Sequence, residues 1–213
     1  MKNNYKQYWN EGYWKHHLSR PQENDLFREL WVTRHQAFID RLPRGELLDL
    51  GCGIGQNTDY FRSQGFSVTA ADLSATALAE LKGRCPNVAT VELDMSRPLP
   101  FEDHCFDVVF ASLSIHYFDR ETTHALVREI RRILKAGGYL IGSVNSSKAY
   151  VYIKDHAVTL EDNYYMDGER AVRLFDREQL DDFFRDLQEV LLEETETVRF
   201  GDPKTMWEFI YRS

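Results

Sequence analysis

Long apolar runs, paired cysteines and positive charge are all scarce in this chain. No stretch approaches the roughly 18 consecutive apolar residues that a membrane-crossing helix needs, and the apolar share is 43%. A membrane-spanning helix is therefore excluded, and a soluble chain is expected. Cysteine occurs only at Cys52, Cys85 and Cys105. An odd number with no Cys-x-x-Cys spacing supports neither a disulfide framework nor a zinc site. The formal charge of −8 disfavours tight, unspecific binding to nucleic acid or an anionic membrane, because such binding depends on cations displacing counterions. The opening Met1-Lys2-Asn3-Asn4-Tyr5 lacks the charged-then-apolar design of a secretory signal. Together these absences point to a cytoplasmic protein with a small partner and no metal.

What is present centres on Leu47-Leu48-Asp49-Leu50-Gly51-Cys52-Gly53-Ile54-Gly55, an apolar run that stops on three alternate glycines. It reads as a buried strand feeding a loop, followed by a helix over 56–64 with Tyr60 and Phe61 packed back on the strand. Glycine reaches positive φ without penalty and has no Cβ to hold a ligand off the backbone. A helix that starts at once turns its unpaired N–H groups toward whatever sits over the loop. This is the pattern of a nucleotide-type cofactor loop.

Further strands are expected at 66–71, 88–93, 106–111 and 139–144. They alternate with helices at 75–83 and 121–135, the first capped by Ser74 and the second stopped by Gly137-Gly138. Such alternation predicts an α/β, doubly wound, parallel sheet with helices on both faces. The 213 residues suit one domain, 1–213. Within it, 1–44 is an N-terminal cap and helix, the helix covering one edge of the sheet from residue 24. Residues 45–144 are the cofactor-binding core, and 145–175 form a polar, tyrosine-rich lid or substrate insertion. Residues 176–213 hold a helix capped by Asp176 and an antiparallel hairpin of 190–200 and 206–211. The first twenty residues are aromatic and basic, Tyr13 and Trp14 among them. They suit either a cap over the cofactor or an arm packed on the surface.

Two acids narrow the cofactor. Asp72 ends the second strand, and Asp94 follows the third. In a doubly wound sheet the carboxyl ends of strands line the ligand crevice, and a carboxylate there can accept from both ribose hydroxyls. An acid after the third strand can meet an adenine amino group. A nicotinamide cofactor requires G-x-G-x-x-G, but Gln56 holds the position of its last glycine. Asp49 is unwelcome beside a pyrophosphate and comfortable near an ammonium group. The expected cofactor carries a positive end and no phosphate.

Asp49-Leu50-Gly51-Cys52-Gly53-Ile54-Gly55, Asp72, Asp94 and Leu134-Lys135-Ala136-Gly137-Gly138, in that order, resemble the motif set of class I S-adenosylmethionine-dependent methyltransferases over residues 46–144. The resemblance implies a mostly parallel, Rossmann-like seven-stranded sheet whose last strand is antiparallel. It also implies that S-adenosylmethionine is the donor, with S-adenosylhomocysteine as product. Asp49 is then near the amino group, with Gly51, Gly53 and the third glycine, Gly55, at the cofactor. Asp72 holds the ribose and Leu73 flanks the adenine. Asp94 and Met95 meet the adenine edge, while Ala111 and Ser112 approach the methionine end. The core and Leu174-Phe175-Asp176-Arg177-Glu178-Gln179-Leu180 are similar to the small bacterial, tellurite-resistance type of methyltransferase.

For the acceptor, His116 and Tyr117 just beyond the fourth strand can serve as a base or simply pack in the exit loop. Tyr13, Trp14, Tyr165 and Arg173 are candidates to surround it, with Arg173 as an anion anchor. The expected activity is in-line methyl transfer to a small molecule. Two alternatives stay open. One is an RNA or protein substrate docked on a basic face of Arg128, Arg131, Arg132 and Lys135; the other is a module that binds the cofactor without catalysis.

Overall fold

The computed structural model describes residues 5–19, 30–149, 156–199 and 202–213. A seven-stranded sheet forms its centre: β1 (Glu46–Leu50), β2 (Ser67–Asp72), β3 (Ala89–Glu92), β4 (Phe106–Ser112), β5 (Leu134–Asn145), β9 (Gln188–Arg199) and β10 (Asp202–Arg212). Their spatial order is β3-β2-β1-β4-β5-β10-β9. The first five strands are mutually parallel, while β10 runs antiparallel to both β5 and β9. Sequence order reverses between β1 and β4, which is where a doubly wound sheet opens a crevice at its strand ends.

Helices cover both faces. On one, α6 (Arg120–Ile133) lays Leu126, Val127, Ile130 and Ile133 on Leu48, Leu50, Val109 and Leu140, and α7 (Arg177–Phe183) adds Leu180 and Phe183. On the other, Leu47, Val108, Phe110, Ile141 and Ile210 meet α4 (Gln56–Ser63) through Phe61. They also meet Trp31, Val32 and Ile39, from a 3₁₀ turn Trp31–His35 and a short α3 (Gln36–Ile39). Beside β2, α5 (Ala75–Arg84) buries Leu78 and Leu81. Period-2 alternation along β1 thus sends Leu47 and Leu48 to opposite cores.

Expected caps are present: the Ala77 N–H donates to Ser74 Oγ and the Gln179 N–H to Asp176 Oδ1. Three expectations are corrected. The helix expected from residue 24 begins outside the described residues; its described part is the 3₁₀ turn and α3, and it lies on a sheet face rather than an edge. Next, α6 does not run to Gly137-Gly138. The backbone is already extended at Leu134 (ψ 136°), which pairs with Phe106, so the chain enters the sheet before the glycines. The glycines lie inside β5, with Gly137 at φ 77° donating its N–H to the Ser213 carbonyl. Finally, the stretch expected as a lid or substrate insertion holds strands where none were expected: β6 (Val158–Glu161), β7 (Tyr164–Asp167) and β8 (Arg170–Arg173) form a separate antiparallel sheet. Tyr150 and Tyr152 lie outside the described residues.

At the N-terminus, α1 (Tyr5–Gln7), a π-helical stretch Tyr8–Trp14 and α2 (Lys15–Leu18) make a continuous helical arm with no fully buried residue.

Candidate cofactor and acceptor site

The glycine loop leaves β1 at the crevice. Gly51 and Cys52 donate their N–H groups to the Ala71 carbonyl, tying the loop to β2 at 2.7 and 3.0 Å. Gly51 has φ 80°, and a Cβ there would come within 2.3 Å of Ser114 Cβ and 3.2 Å of Met95 Cε. Gly53 has φ 54°, and a Cβ would meet the Trp14 ring at 2.6 Å. Both positions therefore demand glycine twice, for conformation and for space. Gly55 is the left-handed residue from which α4 starts.

Acids surround this cradle. Asp49 is 1% exposed, with Thr58 Oγ1 donating to its Oδ2 at 2.6 Å. Burial pushes its pKa up to about 7, and the like charges of Asp72 and Asp59 add to that rise against the Thr58 hydrogen bonds. Asp72 accepts the Gly53 N–H on Oδ2 and the Ser74 N–H on Oδ1, each at 2.8 Å. Its pKa is also raised, chiefly by burial and in spite of those bonds. A buried and a partly buried carboxylate beside a side-chain-free loop favour a ligand with a cationic group. The donor set thus fits the amino and sulfonium groups of S-adenosylmethionine, and each Asp72 oxygen keeps acceptor capacity for a hydroxyl.

The other expected cofactor residues are distributed around the same crevice. Leu73, between Asp72 and Ser74, is partly exposed. Met95 packs on the core, its Cε close to the loop. Strand β3 ends at Glu92, so Asp94 sits two residues beyond it, accepting the N–H and hydroxyl of Ser96 on Oδ1. Ala111 is fully buried in the α6-side core. Ser112 Oγ is bound by the Trp31 indole N–H at 2.9 Å and lies 3.1 Å from Ser143 Oγ.

The acceptor candidates divide. His116, 3% exposed, and Tyr117 lie on a 3₁₀ turn (Ile115–Tyr117) with their rings 4.2 Å apart. Trp9 of the arm packs edge-on against Tyr117 at 5.0 Å, and Tyr164 Oη donates to the Tyr117 carbonyl. Trp14 reaches the glycine loop, and Tyr13 stacks edge-on beside Trp9 and Trp14. Tyr165 is packed with Val172 and Leu174 in the small sheet. Arg173, 1% exposed, gives its guanidinium to Glu161, the Phe118 and Asp162 carbonyls and the Tyr164 face. That arrangement makes it a strut joining the small sheet to the main fold rather than an open anion anchor.

Several residues of this region escaped the sequence reading. On the face that carries Ser112 and Ser143, Glu208 is fully buried and paired with Arg34, with His35 Nε2 at 2.9 Å and with Thr195 Oγ1 at 2.8 Å. Asn145, 3% exposed at the end of β5, has an Oδ1 that meets no hydrogen-bond partner among the described residues. A signal for Glu208 was available: it is the one charge in Met206-Trp207-Glu208-Phe209-Ile210, at a core-facing position of an alternating strand.

A family profile described as a methyltransferase domain matches residues 48–142. The described fold also matches the crystal structure of a SAM-dependent methyltransferase from Methanosarcina mazei, with a TM-score of 0.75 at 20% identity, covering 87% of this chain and 99% of that one. Residues 48–142 form a methyltransferase domain, and the matches support a class I S-adenosylmethionine-dependent enzyme. This methyltransferase is 29% identical over 184 residues to a malonyl-[acyl-carrier protein] O-methyltransferase of Enterobacter lignolyticus, a match covering 85% of this chain and 68% of the relative. It spans only 42% to 50% of the length of several other curated relatives. Its fold also matches TehB from Haemophilus influenzae, with a TM-score of 0.66 and 17% identity over 98% of this chain and 66% of that one. Among the described residues no helix is long and apolar enough to cross a membrane.

Proposed function

We propose that this methyltransferase acts on a small molecule taken up at the carboxyl ends of β4 and β5. One observation carries the reading. The arm and the small sheet meet over the 3₁₀ turn after β4, through Trp9 on Tyr117 and Tyr164 on the Tyr117 carbonyl. A roofed crevice of this kind suits a compact acceptor better than an extended polymer. When bound, S-adenosylmethionine would supply a sulfonium methyl carbon open to in-line attack by an acceptor lone pair, the methyl–sulfur bond breaking to leave S-adenosylhomocysteine.

The chain's own residues position the reactants and exclude water, and alignment of this kind can supply on the order of 7–11 kcal/mol. Asp49 and Asp72 would hold the cationic and ribose ends of the donor. The Asn145 Oδ1 offers a hydrogen-bond acceptor to an N–H or O–H of the methyl acceptor. Of the adjacent His116 and Tyr117, the imidazole is the group that can take the proton of an acceptor that carries one, with the Tyr117 hydroxyl beside it to orient that acceptor. The Enterobacter relative is named for O-methylation of a malonyl group on an acyl carrier protein, which supports oxygen as the acceptor atom.

The basic face gives little support to a macromolecular substrate. Arg132 is committed to Glu129, Asp103 and the Leu99 and Phe101 carbonyls, and Lys135, on β5, to Asp107. Only Arg128 and Arg131 stay exposed. The test is to incubate the protein and labelled S-adenosylmethionine with a bacterial extract split by size. Label in the small-molecule fraction is expected. Label confined to protein or RNA would refute the proposal.

A further inference from the structure

We infer that the N-terminal arm is a latch across the cofactor crevice, with Trp14 and Asn10 as its holding residues, and that cofactor exchange requires it to lift. The inference rests on the S-adenosylmethionine reading of the glycine loop. It takes up the cap-over-the-cofactor reading of the aromatic arm and gives Trp14 to the donor, a residue the sequence also offered to the acceptor.

Four contacts place the arm. Trp14 lies on Gly53, the residue whose N–H is held by Asp72, so its indole forms a wall over the loop that faces the cofactor. Asn10 Oδ1 accepts from the Ser74 hydroxyl at 2.8 Å and from the Thr76 N–H at 3.3 Å. It thereby occupies a first-turn donor of α5, which a helix otherwise leaves unpaired. Lys6 pairs with Glu92 at the end of β3, 2.5 Å away, and Trp9 packs on Tyr117 beyond β4. The arm therefore touches the loop after β1, the turn after β2, the end of β3 and the exit of β4. It bridges the strand ends on both sides of the point where sheet order reverses, and a ligand on the glycine loop would lie beneath it.

The way the arm is held suits a latch better than a structural element. None of its residues is buried. Its ion pair is exposed, with side-chain accessibilities of 55% and 42%, and pairs of that kind contribute little. Segments with few buried contacts open locally at low cost, and mobile lids are drawn from them. The π-helical stretch Tyr8–Trp14, a winding often found at functional sites, contains three of the four contact residues.

The test uses the whole chain with S-adenosylhomocysteine as probe. Binding is first measured by isothermal titration, and tryptic cleavage after the exposed Lys15 is then timed with and without the probe. Saturating S-adenosylhomocysteine is expected to slow that cleavage about tenfold, as ligand binding protects a segment that closes on it. Trp14→Ala is expected to raise the probe's dissociation rate about tenfold, with Trp14→Phe restoring most of it, and Asn10→Ala to speed cleavage in the absence of probe. Trp14 is only partly buried, so the fold survives these changes. If wild type binds the probe but arm cleavage and the Trp14→Ala dissociation rate are unchanged, the latch is overturned and the cofactor reading stands. If wild type does not bind the probe, both fall.

Discussion

The glycine loop and the N-terminal arm enclose the same crevice by opposite means. Around the loop, Asp49 and Thr58 are buried, backbone N–H groups are paired with Ala71 and Asp72, and two glycines stand where no side chain fits. The arm holds the crevice from above with partly exposed aromatics, one amide and one surface ion pair. A site built this way fixes the donor through its floor and leaves exchange to its roof. Substitutions in the floor should therefore cost both stability and binding, while those in the roof should change rates.

The largest effect expected is from Gly51→Val. A branched side chain at φ 80° would have to occupy the place of Ser114 Cβ. A loss of about 4 kcal/mol of stability is expected in urea unfolding, with S-adenosylhomocysteine binding abolished. A Gly51→Val protein as stable as wild type would show that the loop is not constrained as described.

Glu208→Ala separates stability from donor binding. It leaves Arg34 and His35 without their buried carboxylate, and a cost of about 3 kcal/mol is expected. Because Glu208 lies on β10, separated by β4 and β5 from the strand that carries the loop, the affinity of the folded protein for S-adenosylhomocysteine should hardly move. A matched loss of affinity would merge the two regions.

A smaller effect is expected from pH. Asp49 in the folded chain titrates near 7, above its ordinary value, because burial penalises its charge. Its neutral form thus favours folding: that contribution is full below the ordinary carboxylate pKa and is lost as pH rises through about 7. Binding runs the other way, since the ligand's ammonium favours the ionised carboxylate. From about pH 6 to about pH 8 the affinity for S-adenosylhomocysteine should rise up to about tenfold, and Asp49→Asn should flatten the profile. Smallest of all, charge reversal at Arg128 and Arg131 should leave methyl transfer to a small molecule unchanged.

The floor was legible in the sequence because its constraints are local. Gly51 and Gly53 are required by backbone conformation, Asp72 by its place at a strand end, and Ser74 and Asp176 by helix capping. The strands of the core could be read from their apolar alternation. The roof was less legible because its determinants are distant in the chain. Nothing around Asn10 announces a partner at Ser74, and Arg173 looked like a free cation because Glu161 and the Phe118 carbonyl meet it only through folding. The small sheet did leave a sign. Asp167-Gly168 between short runs is a hairpin signal, and it marks the turn from β7 to β8, with Gly168 at φ 61°. The end of α6 was misplaced for a different reason: pairing of Leu134 with Phe106 outweighs the helix-stopping character of the two glycines.

The most direct measurement of the donor site is a calorimetric titration of S-adenosylhomocysteine into wild type and Asp72→Ala. One site per chain is expected in wild type, weakened about a hundredfold when the carboxylate that should hold the ribose and that also anchors Gly53 is removed. Equal binding by the two proteins, or none by wild type, would contradict a cofactor site at the glycine loop.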